Sequence, residues 1–180
     1  NDMNDARTKL GWFEKEEQYL DDMREALIGF LMKVQSADMS ESLRGRVLGK
    51  MQIVSELENA SDECLAIAEL WTKKSRKALV FDEDAALSLR PYGEAVKDFY
   101  LFISSNLDKG LDAIEFGMAG EHENRIDRFK KELKKMARKR LNAGADARTE
   151  LLYIDIVRHF EKIGDCLYAI AGELGKRQER

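Results

Sequence analysis

The chain has 180 residues, is 44% hydrophobic and 36% charged with a single proline, and carries a net charge of −4. That length fits one domain or a tight pair of small bundles, able to bury roughly 70% of the unfolded surface. Recurring apolar residues exclude a disordered chain, the shortage of proline favours long helices, and the acidic balance gives no overall pull toward nucleic acid.

The first predicted helix spans about Trp12 to Gln35, where Phe13, Leu20, Met23, Leu27, Phe30 and Val34 recur at the helical period. Ser36-Ala37-Asp38-Met39-Ser40 reads as a break, with Ser40 offering a side-chain acceptor to the next helix. The second helix runs from about Glu41 to Leu79 on the stripe Ile53, Leu57, Ala60, Cys64, Ile67 and Trp71. Gly45 and Gly49 weaken its first turns. The acidic Asp82-Glu83-Asp84 suits a third helix start, and that helix continues to about Gly117. Pro91 inside it predicts either a kink near Arg90 or a start at Pro91 itself.

The fourth helix is predicted over about Glu121 to Leu141, with Ile126, Phe129, Leu133 and Met136 on its stripe. Gly144 in the following turn suits a left-handed helix end. The fifth spans about Arg148 to Gly175 on Tyr153, Ile156, Phe160, Ile163, Leu167, Ile170 and Leu174. Nothing reads as a strand, and long helices with short turns predict an all-α antiparallel bundle.

The fifth helix repeats the second at a constant offset of 103, from Val54 to Val157, Glu58 to Glu161, Asp62 to Asp165 and Ala66 to Ala169. The fourth repeats the first more loosely at an offset of 106, from Glu17 to Glu123 and Asp21 to Asp127. Two similar bundles are therefore expected, repeat one over 1–80 and repeat two over 81–180. If each repeat has three helices, repeat one lacks its opening helix, which would lie upstream of Asn1. The start at Asn1 rather than Met agrees with a piece of a longer protein.

Every matched helix carries Glu-x-x-x-Asp: Glu17/Asp21, Glu58/Asp62, Glu123/Asp127 and Glu161/Asp165. That spacing places both carboxylates on one helix face, one turn apart, at the flank of the apolar stripe. Carboxylates at an inter-helix boundary need compensation from Lys or Arg, or from a cation. Two facing pairs would offer hard oxygen ligands, suited to Mg, Mn, Fe or Ca rather than to a thiolate-seeking metal.

Glu161-Lys162-Ile163-Gly164-Asp165 followed by Ala169-Ile170-Ala171 resembles the Glu-Arg-Ile-Gly-Asp…Asn-Ile-Ala signature of PhoU proteins. Glu58-Asn59-Ala60-Ser61-Asp62 is a weaker counterpart, departing at the arginine and at Ile-Gly. The resemblance covers about Trp12 to Gly175 and implies a pair of three-helix bundles related by a pseudo-twofold, here with the first helix of repeat one missing. It also implies metal clusters on Glu58, Asp62, Glu161 and Asp165, and secondarily on Glu17, Asp21, Glu123 and Asp127, with Fe, Mn, Mg or Zn as the ion. Leu151 to His159 is similar to the PhoU-like tails of sodium/phosphate cotransporters. That likeness implies a non-catalytic regulatory domain on the cytoplasmic side of the bacterial inner membrane. Its partners would be the transmembrane transporter domain of the same chain, a second copy, phosphate, or an anionic membrane surface. The rival readings are a free-standing PhoU-type adaptor, a carboxylate-bridged metal enzyme, and a structural bundle without metal.

Other signals carry less. His122 and His159 have no acidic residue three positions before them, so the Glu-x-x-His of di-iron bundles is absent. His159 is expected on a helix surface or boundary, or else as a ligand or orienting group. The run Lys130, Lys131, Lys134, Lys135, Arg138, Lys139 and Arg140 is expected to be a solvated face, or else a contact to an anionic membrane or phosphate. Trp12 and Trp71 are expected to pack at helix ends, and Cys64 and Cys166 in the core as reduced thiols. No run approaches the about 18 apolar residues of a membrane span, and no catalytic triad or P-loop is present.

Overall fold

A computed structural model describes residues 2–35 and 39–176. Five helices fill them, α1 (Asp2–Gln35), α2 (Glu41–Arg76), α3 (Glu83–Asn106), α4 (Ala113–Asn142) and α5 (Ala147–Gly175), and no strand is present among the described residues. The protein is an all-α helical bundle.

The helix starts are set by caps. Ser40 Oγ accepts from Leu43 N at 3.3 Å, as expected from the sequence. Asp82 accepts from Asp84 N at 3.1 Å, and Asp146 from Thr149 N at 2.9 Å. Each such cap contributes about 1 kcal/mol. Ser36, Ala37 and Asp38 of the expected break lie outside the described residues.

Four boundaries differ from the sequence reading. α1 begins at Asp2, ten residues before Trp12. α2 stops at Arg76 rather than Leu79, because Ala78 turns left-handed at φ 49° and Leu79 N reaches back to Lys74 O at 3.0 Å. An alanine supplies that stop, so no glycine announces it. α3 ends at Asn106, not Gly117, and α4 begins at Ala113, not Glu121. The turn between them holds Gly110 at φ 81°, and Asp112 then builds a reciprocal cap. Asp112 Oδ1 accepts from Glu115 N at 2.8 Å while Glu115 Oε2 accepts from Asp112 N at 3.0 Å. Gly117 and Gly120, which resemble breakers, lie inside α4 with open space where a side chain would be. α3 starts at Glu83 and passes through Pro91. The carbonyl that loses its donor belongs to Leu87, a residue on the exposed side of the helix.

α5 is the central helix. It packs against α2, α3 and α4, α3 also packs on α4, and among the described residues α1 packs on α2 alone. Tyr92 and Phe99 of α3 are wholly buried, as are Tyr153, Ile156 and Val157 of α5. Tyr92 lies against Phe129 and Phe160 at 5.5 and 5.3 Å between ring centres, and Phe99 stacks on His122 at 5.2 Å. Trp71 meets Phe81 edge-on beyond the end of α2. Trp12 lies well inside α1 and is 56% exposed, in contrast to the helix-end packing expected.

α4 packs tightly on α5 at Gly164, where a Cβ would meet Ile126 Cγ2 at 3.0 Å. Gly164→Ala should lower unfolding stability by about 1–3 kcal/mol through overpacking, with the denaturant slope unchanged. A urea titration showing no shift in midpoint would contradict that packing.

Candidate functional site

The eight sequence-predicted carboxylates form two quartets, one on each helix pair. Among the described residues α1 touches only α2 and runs opposite to it, with Arg24 reaching Glu58 and Thr72 reaching Ala6. Glu17 and Asp21 are thereby brought to Glu58 and Asp62. α4 runs opposite to α5, with Lys130 reaching Glu161 and Arg140 reaching Glu150, which brings Glu123 and Asp127 to Glu161 and Asp165.

Titration reports the crowding. Burial, then Asp62, lift Glu58 above the usual carboxylate range, with Asp21 and Glu17 adding to the effect. Burial, then Asp21 and Glu63, lift Asp62. Burial, then Glu161, lift Asp165, with Glu123 and Asp127 contributing. In each case burial disfavours the ionised form most, neighbouring carboxylates add to that, and Arg24 or Lys130 offsets it only in part.

One basic side chain bridges each quartet. Arg24 donates to Asp21 at 2.9 Å and places its Nε 3.6 Å from Glu58. Lys130 lies 3.5 Å from Asp127 and pairs with Glu161. Arg24 and Lys130 are 106 residues apart, which is the repeat offset, and each follows its aspartate by three residues. Glu58 and Glu161 are 17% and 16% exposed, so the two seams match in burial as well. They differ in how far they are neutralised. Asp127 also accepts from Lys131 at 3.1 Å, and this bond, with Lys130, holds it below the usual range although burial opposes the shift. Among the described residues no second cation joins the quartet around Arg24, and Arg24 Nε is buried without a hydrogen-bond partner. The α1/α2 seam, whose motif departs further from the signature, carries the less compensated charge.

The donor set suits a hard cation in chemistry, since each seam holds four carboxylates against a single bridging base. In the arrangement described, no three His, Cys, Asp or Glu side chains among the described residues converge as a metal requires. Occupancy would require Arg24 or Lys130 to move aside and the carboxylates to close in.

Arg24 and Lys130 were missed as seam residues in the sequence reading, and the offset of 106 was the signal that pairs them. Lys130 and Arg140 do not belong to a solvated face, as expected for the basic run. Arg140 forms a two-pronged bridge to the buried Glu150 at 2.8 and 2.9 Å. Lys131, Lys135, Arg138 and Lys139 do face solvent.

A further polar cluster joins the two halves. Glu63 on α2 accepts from Lys162 Nζ at 2.7 Å and hydrogen-bonds His159 Nδ1. Cys166 is buried, and its thiol is pushed up to about 12 by burial and then by Glu56 of α2. The two cysteines are free thiols, Cys64 half-buried. An open cavity of about 650 Å³ lies apart from both quartets, near Gly49, Asp108 and Glu173. No helix among the described residues is long and apolar enough to cross a membrane. No family model, curated protein or solved structure matches the chain.

Although burial alone would raise Glu63, its bonds from Lys162 and His159 hold it below the usual glutamate range. Its ionised form is therefore favoured by folding, a contribution present above the unfolded pKa near 4.3 and lost as pH falls through the folded value. Glu63→Gln should cost about 1.5–3 kcal/mol at pH 7, an amount that shrinks steadily below pH 4. Urea melts at both pH values test this, and an equal deficit at each would contradict it.

Proposed function

We propose that this chain is a PhoU-like regulatory domain of a sodium-dependent phosphate cotransporter, non-catalytic, acting on the cytoplasmic side of the membrane. Paired carboxylates at its two seams bind divalent or trivalent metal ions. The observation that carries this is the repetition of one arrangement twice: four carboxylates and one bridging base at equivalent positions of two helix pairs. Helix seams with no ligand-binding role have little reason to keep under-compensated acids, yet Glu58 and Asp62 at one seam and Asp165 at the other are raised above the usual carboxylate range.

Glu58, Asp62, Glu17 and Asp21 would hold an ion at one seam, and Glu161, Asp165, Glu123 and Asp127 at the other. A bound ion supplies the positive charge that Arg24 or Lys130 provides only in part. These side chains would then tie α1 to α2, or α4 to α5, more tightly, and a ligand that favours one helix arrangement shifts the population toward it. Such a shift is the means by which a tail transmits phosphate status to its transporter. The exposed cations of α4, Lys131, Lys135, Arg138 and Lys139, suit a contact with an anionic membrane surface or phosphate. A purely structural bundle is the second reading, favoured by the ion pairs that Arg24 and Lys130 already make.

Manganese titrated into metal-free protein should raise the melting temperature by about 5–10 °C per occupied seam at 100 times the Kd, equivalent to about 2.7 kcal/mol for each site. The double variant Glu161→Ala, Asp165→Ala should lose roughly half the bound metal and part of the shift. Equal metal content and equal melting shifts in wild type and variant would leave the structural bundle as the surviving reading.

A further inference from the structure

The cavity of about 650 Å³ lies between the first turns of α2, the α3/α4 turn and the C-terminal end of α5. Four cations line it, Arg46, Lys50, Lys109 and Lys176, against the two acids Asp108 and Glu173. The chain as a whole is acidic, so this excess of positive charge is local. Lys109 pairs with Glu115 and Lys176 with Glu173. Arg46 and Lys50 are exposed and have no ion pair among the described residues. They stand one turn apart on one face of α2, with Ser42 a turn before them. That face presents a hydroxyl, a guanidinium fork and an ammonium in a row, beginning at the positive end of the helix. Gly45 and Gly49 line the same wall and leave it bare of side chains, although each costs about 1 kcal/mol of helix stability relative to alanine.

The internal repeat supplies a comparison. Under the offset of 103, Ser42, Arg46 and Lys50 correspond to Ala145, Thr149 and Tyr153, at the equivalent end of the α2/α5 pair. An open cavity of about 530 Å³ lies there too, with Ala145 and Thr149 in its wall. Its polar groups satisfy one another. Asp146 accepts from Thr149 Oγ1 at 2.7 Å, and Arg140 donates twice to Glu150. Tyr153 is buried, with its hydroxyl 2.9 Å from Ser88 Oγ. Duplication alone therefore does not account for two unpaired cations in the larger cavity.

We infer that the larger cavity binds an organic phosphate of nucleotide size, with its phosphoryl oxygens on Ser42, Arg46 and Lys50 and its remaining body against Leu48. An arginine fork beside an ammonium matches phosphoryl oxygens. The volume falls within the roughly 300–1,000 Å³ of small-molecule sites, which leaves room for more than a single phosphate ion. The walls come from both halves, α2 from the first and the α3/α4 turn and α5 from the second, so a bound ligand bridges them. This inference is independent of metal at the carboxylate seams.

The probe is ADP, titrated into the full chain in EDTA without divalent metal and read by calorimetry. Saturable one-to-one binding is expected, at least tenfold tighter than that of inorganic phosphate or of citrate, which carries similar charge without a phosphoryl group. Arg46→Glu, at an exposed position that leaves the melting temperature unchanged, should weaken ADP binding tenfold or more. Arg44→Glu makes the same charge change on an exposed residue outside the cavity and should alter binding less than twofold. The double variant Glu161→Ala, Asp165→Ala should bind ADP as wild type does, whatever its metal content. No saturable binding up to about 5 mM ADP would overturn the inference. So would equal binding of phosphate or citrate, or equal losses in Arg46→Glu and Arg44→Glu.

Discussion

Glu63 of α2 grips His159 and Lys162 of α5, and this polar clasp lies on the seam that joins the two halves. Seven residues back along α2 and seven forward along α5, Glu56 meets Cys166. A further seven in each direction, Gly49 admits Glu173, whose Oε2 lies 3.0 Å from where a Cβ would be. The contacts therefore climb one helix and descend the other in equal steps. Under the offset of 103, Glu63 corresponds to Cys166 and Glu56 to His159, so the Glu63–His159 and Glu56–Cys166 contacts map onto each other. That exchange is what a pseudo-twofold between α2 and α5 requires, and everything else is arranged about it. α5 is covered on its remaining sides by α3 and α4, whereas α2 has only α1.

The two acidic seams follow from the same duplication. Each carries its carboxylates beside an apolar stripe, where water is partly excluded and like charges are poorly screened. Surface ion pairs contribute little, but a base shared between two half-buried acids adds charge-assisted hydrogen bonds. Arg24 and Lys130 make such contacts and still leave Glu58, Asp62 and Asp165 titrating high. At both seams, acids raised by burial and by neighbouring carboxylates lie beside a base that neutralises them only in part.

The helical class, the repeat and the facing of the acidic pairs were legible from the sequence because each rests on spacing. Period 3.6 marks a stripe, and a constant offset marks a duplication. The α3/α4 boundary was not, since Gly117 and Gly120 resemble breakers while the actual stop uses Asp108-Lys109-Gly110 and the Asp112/Glu115 cap. The end of α2 at a left-handed Ala78 leaves no compositional trace. At the seams, Lys130 was hidden in a basic run of which Lys131, Lys135, Arg138 and Lys139 face solvent, and its pairing with Glu161 separates it from them. The stripe of α1 reads like that of α4, yet exposure depends on whether a third helix lies over it, which periodicity alone does not encode.

Anomalous diffraction from crystals of the full chain soaked in manganese would test the account most directly. Two peaks are predicted, one between Asp21 and Glu58 and one between Asp127 and Glu161, related by the pseudo-twofold, with the Arg24 and Lys130 side chains displaced. Density in which both basic side chains keep their ion pairs and neither seam holds an anomalous scatterer would contradict it.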